Sequence, residues 1–169
     1  MPEQKSGQIR ITNDGKVILT GEIFDQHGSY PFEAFIDTGS SFGLIITQEL
    51  ADAVCAPVLE EVNICIGAGS GNTKGHTRLA NFRFGDLEIK NYRATAVKGS
   101  RNLVGVKFFQ DISAAVLLDF HQGKTAGCFL STDQKFVRML GKSLHCATVH
   151  GLDICESTKP CPVCGQMGR

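Results

Sequence analysis

The chain has 169 residues, no net formal charge and 42% hydrophobic residues. That length holds one domain with a real core plus a tail, and the zero balance gives no ground for binding nucleic acid or a charged membrane surface. There is no run of about 18 apolar residues, so no membrane-spanning helix is expected, and nineteen glycines against five prolines point to many turns and an all-β fold.

Residues 1–7 read as a polar lead-in. No apolar stretch follows Met1-Pro2-Glu3-Gln4-Lys5, so no signal peptide is expected. Gln8 to Thr12 alternates, with Ile9 and Ile11 on one face, and Asn13-Asp14-Gly15 is a turn signal. Lys16 to Phe24 reads as a second strand, broken by Asp25 to Ser29. Tyr30, Phe32, Ala34 and Ile36 then alternate into Asp37.

The stretch Phe35-Ile36-Asp37-Thr38-Gly39-Ser40-Ser41 organises the rest. It places an acid between two apolar runs, the second being Leu44-Ile45-Ile46. A carboxylate so flanked is expected to be partly buried and to need hydrogen-bond donors. Thr38 and Ser40 carry hydroxyls, and Gly39 has no Cβ to keep a backbone N–H away.

Beyond Ile46, Thr47 is a predicted N-cap with Glu49 in the first turn. Leu50, Ala53 and Val54 form the apolar face of a short helix that Pro57 ends. Val58 to Ile66 returns to alternation. Gly67-Ala68-Gly69-Ser70-Gly71-Asn72 is glycine-rich but matches neither G-x-x-x-x-G-K-[ST] nor G-x-G-x-x-G, and no long helix pattern follows it. It reads as a hairpin tip, either an ordinary turn or a mobile one. Thr77 to Phe84 and Leu87 to Val97 form a strand pair. Lys98-Gly99-Ser100-Arg101-Asn102 is a polar break before Leu103-Val104-Gly105, and Ala115 to Phe120 and Ala126 to Leu130 are the last strands. Asp119 reads as a turn or capping acid.

Asp37-Thr38-Gly39-Ser40 matches the D-T-G-[AS] signature of aspartic peptidases, and its context resembles the retropepsin-like branch, bacterial and cellular members included. The resemblance covers roughly residues 8–130. Strand, D-T-G-S, helix, glycine-rich hairpin, strand pair, Leu-Val-Gly and short helix arrive in the family's order. It implies an all-β, retropepsin-like closed barrel with one or two short helices, one lobe per chain, in a symmetric dimer. It also implies that Gly67, Ala68, Gly69, Ser70 and Gly71 form a substrate-covering flap, and that Leu103, Val104 and Gly105 pack against the D-T-G loop and lead into a short helix over Val106 to Ile112.

Aspartic peptidases use two carboxylates that share one proton and activate a water, because like charges about 3 Å apart cannot both ionise. This chain has one D-[ST]-G, so the resemblance implies a homodimer with Asp37 of each protomer at the twofold axis. Thr38 would lock the two loops together, Gly39 would allow their close approach, and Ser40 would donate to the outer carboxylate oxygen. Catalysis needs no cofactor. The implied activity is aspartic endopeptidase hydrolysis of an extended peptide or protein, with an optimum on the acid side of neutral. The alternative is a non-catalytic retropepsin-like module that dimerises and binds peptides.

A competing motif is present, since Gly39-Ser40-Ser41-Phe42-Gly43 fits G-x-S-x-G with Ser41 as nucleophile. That elbow requires a helix directly after the serine, and the aliphatic run Leu44-Ile45-Ile46 stands there instead. His27, His76 and His121 are singletons in turn or strand contexts.

Residues 131–169 change character. Phe136 to Leu144 has short-helix spacing, and His145, Cys146, His150, Cys155, Cys161 and Cys164 follow. Cys161-Pro162-Val163-Cys164-Gly165 has the two-thiolate spacing of half a zinc ribbon, with Cys155 and either His150 or Cys146 as candidates to complete a structural zinc site. An unstructured tail or a redox pair accounts for the same residues. Cys55, Cys65 and Cys128 sit among apolar neighbours and read as small core residues. Seven cysteines, an odd number, and no export signal favour reduced thiols and a cytoplasmic setting.

Overall fold

The computed structural model describes residues 9–65, 71–118, 128–135 and 138. Ten strands and two short helices follow in order: β1 (Ile9–Ile11), β2 (Val17–Phe24), β3 (Ser29–Asp37), β4 (Leu44–Thr47), α1 (Gln48–Ala53), β5 (Val58–Cys65), β6 (Asn72–Phe84), β7 (Leu87–Val97), β8 (Leu103–Gly105), α2 (Val106–Asp111), β9 (Ala115–Leu118) and β10 (Cys128–Ser131). Eight strands form one sheet in the order β1-β2-β3-β8-β4-β7-β6-β5, and β2 also pairs with β6. That last pairing closes β2, β3, β8, β4, β7 and β6 into a six-stranded barrel, which removes their free edges. β1 and β5 hang from it, and β9 and β10 form a separate antiparallel pair. No helix among the described residues is long and apolar enough to cross a membrane.

The alternating pattern decides which faces turn inward. On β3, Phe32 and Ala34 are buried while Pro31 and Glu33 face out; Tyr30, of the same parity as Phe32, is exposed near the start of the strand. Phe32, Phe82 and Phe84 fill the barrel with ring centroids 5.3–6.2 Å apart, mostly edge to face. Phe108 of α2 closes one end, 5.7 Å from Phe84 and fully buried.

α1 begins as expected, because the Thr47 hydroxyl accepts the Leu50 N–H at 3.2 Å. Its buried face differs from the expected one. Ala51 and Val54 are buried and Leu50 is half-buried, but Ala53 is exposed. The helix is under two turns long, so the direction in which β4 delivers the chain sets its rotation.

Two cysteines also depart from expectation. Cys55 and Cys65 are exposed rather than in the core. Cys55 takes a left-handed backbone (φ 48°) just past α1, and Cys65 lies on the outer strand β5, where alternation turns Ile64 inward instead. Apolar neighbours in sequence do not say which face a residue takes. The side chain of Cys128 lies outside the described residues, as do His121, Asp119 and the tail residues 141–169.

Candidate active site

Asp37 is the last residue of β3. A parallel pairing with β8 sets Phe35 opposite Leu103, Ile36 opposite Val104 and Asp37 opposite Gly105. β8 also pairs antiparallel with β4, so the Leu103-Val104-Gly105 strand lies between the strands that enter and leave the loop of residues 38–43. Both feet of that loop therefore stand on the barrel.

The loop folds on its own polar groups. The Gly39 N–H donates to Asp37 Oδ1 at 3.0 Å, and the Ser40 N–H to the Asp37 carbonyl at 3.1 Å. The first bond fixes the direction of the carboxylate from its own loop. The Ser40 hydroxyl accepts the Phe42 N–H at 3.3 Å, which braces the loop.

Gly105 seats the loop on β8. Its N–H donates to the Gly43 carbonyl at 2.9 Å. A Cβ built on Gly105 would overlap the Phe42 carbonyl oxygen and lie 2.7 Å from that of Ser40. The backbone there has φ −92° and ψ 171°, which any residue can adopt. The glycine is required for close approach, not for conformation.

Asn102, between β7 and β8, ties β3 to β4. Its side-chain amide donates to the Glu33 carbonyl at 3.0 Å and its side-chain oxygen accepts the Thr47 N–H at 2.9 Å. Its own carbonyl accepts the Phe35 N–H at 3.0 Å. One residue thus bridges β3 and β4 behind the loop. Tyr92 on β7 and Asp111 on α2 also reach the loop, and neither stood out in the sequence. The Tyr92 hydroxyl donates to Asp111 Oδ2 at 2.9 Å. Burial, reinforced by that carboxylate, pushes the phenol well above its ordinary range and keeps it a donor.

Asp37, Thr38 and Gly39 are exposed, which corrects the expectation of a partly buried acid. The apolar flanks belong to the strands, and the loop between them projects from the barrel. Phe42, Gly43 and then β4 follow Ser41, so the G-x-S-x-G match lacks the helix that a nucleophile elbow requires. Of the expected flap, Gly67, Ala68, Gly69 and Ser70 lie outside the described residues. Gly71 and the strands on either side, β5 and β6, are described and form a hairpin that pairs Cys65 with Asn72. The expected zinc residues His150, Cys155, Cys161 and Cys164 also lie outside. Among the described residues no group of three or more His, Cys, Asp or Glu could hold a metal ion.

A closed six-stranded barrel with an Asp-Thr-Gly loop seated on a hydrophobic-hydrophobic-Gly strand defines a retropepsin-like protein. The sequence model of the aspartyl protease family matches residues 19–108, more than half of the chain. The chain belongs to the aspartyl protease family. Among solved structures it is similar to a retropepsin-like aspartic protease from Rickettsia conorii, at 18% identity and a TM-score of 0.50, over 73% of this chain and 91% of that one. EIAV protease complexed with the inhibitor HBY-793 also matches, at 18% identity and a TM-score of 0.46, over 63% of this chain and 97% of that one. A comparison with curated proteins found no match.

Proposed function

We propose that this protein is an aspartic endopeptidase that works as a symmetric homodimer, with Asp37 of each protomer forming the dyad. The observation that carries the reading is the exposed Asp37-Thr38-Gly39 loop, held on both sides by the barrel and aimed by the Gly39 N–H at 3.0 Å. A rigidly mounted carboxylate left open to solvent suits a second copy of the same loop. The sequence holds one D-[ST]-G, and a second copy of this chain would supply the other carboxylate.

In the dimer the two carboxylates share one proton. One takes a proton from the attacking water while the other donates to the peptide, and the pair titrates as a unit. Bringing the two together removes each from water, so one of them is held protonated and activity falls on the acid side of neutral. Thr38 joins the loops across the axis in this reading, and Gly39 has no side chain to keep them apart. The substrate is an extended peptide, bound by backbone hydrogen bonds between the barrel floor and the β5–β6 hairpin.

The test is digestion of a diverse peptide mixture across a pH series, read by mass spectrometry, with wild type beside Asp37→Asn. Cleavage by wild type alone, strongest below neutral pH, is expected. Equal cleavage by both proteins would reject Asp37 as the catalytic group, and a pH maximum above neutral would reject the shared proton. No cleavage by a confirmed dimer at any pH would leave the peptide-binding module as the better account.

A further inference from the structure

We propose that Tyr92 is a positioning residue for the catalytic loop, its hydroxyl fixing the backbone at Gly43 and through it the segment that carries Asp37. The inference deepens the peptidase reading and rests on it for its kinetic consequence, though not for its structural one.

Tyr92 reaches the loop because β7 is irregular. Between the pairs Ala80–Tyr92 and Phe82–Ile89, two steps on β6 face three steps on β7. The extra residue makes a bulge, and Asn91 within it takes a left-handed backbone (φ 53°). The Asn81 side chain stabilises the bulge by accepting the Asn91 N–H at 2.9 Å. Ile89 and Tyr92 lie three apart in sequence, yet both pack against the core, which a regular strand does not allow. The bulge therefore turns Tyr92 inward.

Once inside, the ring is fixed by two edge-to-face neighbours, Phe82 at 6.4 Å and Phe108 at 5.3 Å. Its hydroxyl donates to Asp111 Oδ2, and Lys107 Nζ holds Asp111 Oδ1 at 2.7 Å. So anchored, the hydroxyl bears on Gly43. A Cβ built there would overlap the hydroxyl oxygen and lie 3.3 Å from Cζ. The Gly43 carbonyl is also the acceptor for the Gly105 N–H. The loop is thus held between β8 on one side and the phenol on the other. Gly43 is coupled to Ser40 and Asp37 through the adjoining Phe42–Ser40 and Ser40–Asp37 bonds.

A hydroxyl that merely packs and one that positions the loop make different predictions. Tyr92→Phe keeps the ring and removes the bearing oxygen. If the hydroxyl positions the loop, kcat falls roughly tenfold with KM nearly unchanged, because small misplacements of a reacting group cost orders of magnitude. Gly43→Ala is expected to lose more activity, roughly a hundredfold. The double variant Gly43→Ala/Tyr92→Phe is expected to regain much of it, since removing the oxygen opens space for the new methyl.

The experiment measures kcat, KM and amide hydrogen exchange for wild type and these three variants, each checked for an unchanged barrel by circular dichroism. The proposal expects faster exchange at the Phe42 and Gly105 amides in Tyr92→Phe, with β5–β6 pairing unaltered, and rescue in the double variant. Wild-type exchange and kcat in Tyr92→Phe, or a double variant no better than Gly43→Ala in either readout, would overturn it. Exchange is read without substrate. If wild type shows no Asp37-dependent cleavage while loop exchange responds as described, the peptidase reading falls and the positioning role stands.

Discussion

Replacing Gly105 with alanine tests how the site is mounted. The backbone dihedrals at Gly105 suit alanine, so the cost is steric alone. The added methyl would overlap the Phe42 carbonyl oxygen, lie 2.7 Å from the Ser40 carbonyl oxygen and lie 3.1 Å from Ser40 Cβ. Overpacking typically costs about 1–3 kcal/mol, and the upper end applies because the obstacles are mainly backbone atoms that cannot rotate away. Moving the loop also loses the Gly105–Gly43 hydrogen bond, about 1 kcal/mol more. The sum, about 3–4 kcal/mol, corresponds to a fall in Tm of roughly 6–16 °C for a chain of this size. Calorimetry reads that fall, and peptide cleavage is expected to drop by about two orders of magnitude as Asp37 is displaced. Gly71→Ala is the control, since a Cβ there meets nothing within 4 Å, and its stability is expected within about 0.5 kcal/mol of wild type, a Tm change of roughly 2 °C or less. If Gly105→Ala matched Gly71→Ala in Tm, or kept full activity, the seating of the loop on β8 would be wrong.

Asn102→Ala removes the two side-chain bonds that bridge β3 and β4 and strands their partners; a loss of about 1–3 kcal/mol by urea denaturation is expected, and a change below about 0.5 kcal/mol would contradict the bridging role. The β1–β2 turn bears on acid tolerance. The Lys16 ammonium, joined by the Thr12 hydroxyl, lowers Asp14 to about 2 from an ordinary 3.8. A carboxylate depressed on folding stabilises the fold above its ordinary value, and that contribution disappears as pH falls toward 2. The turn is thus expected to stay charged and intact through the acid range proposed for the dyad. Carbon-detected NMR titration of Asp14 reads this directly, and a midpoint near 4 would refute it.

The parts legible in the sequence are those set by local rules. The strand leading to Asp37 followed from alternation of Phe32 and Ala34 with outward residues, and the start of α1 from the Thr47 cap. Leu103-Val104-Gly105 was legible through family resemblance, because nothing within three residues announces a partner elsewhere in the chain. Contacts between distant segments left no such trace. Tyr92 looked like one more strand residue because the bulge at Asn91, which reverses its facing, depends on Asn81 across the ladder. Asn102 read as part of a loop because both strands it bridges are far away in sequence. Cys55 and Cys65 show the same limit: neighbours suggest burial, but facing is decided by a left-handed turn in one case and an outer strand in the other. The exposure of Asp37 was hidden because its flanks are buried while the loop between them is not.

The central claim is that two copies of Asp37 make one active site, and subunit mixing tests it most directly. A fixed amount of wild type is equilibrated with increasing Asp37→Asn, at a concentration where the protein is dimeric, and peptide cleavage is followed. If each site needs a carboxylate from both protomers, an equal amount of the variant leaves about half of the wild type in wholly wild-type dimers, and activity falls to about half. Further variant drives it toward zero. Activity that stays constant however much Asp37→Asn is added and equilibrated would mean that one protomer suffices, and the paired-aspartate account would fail.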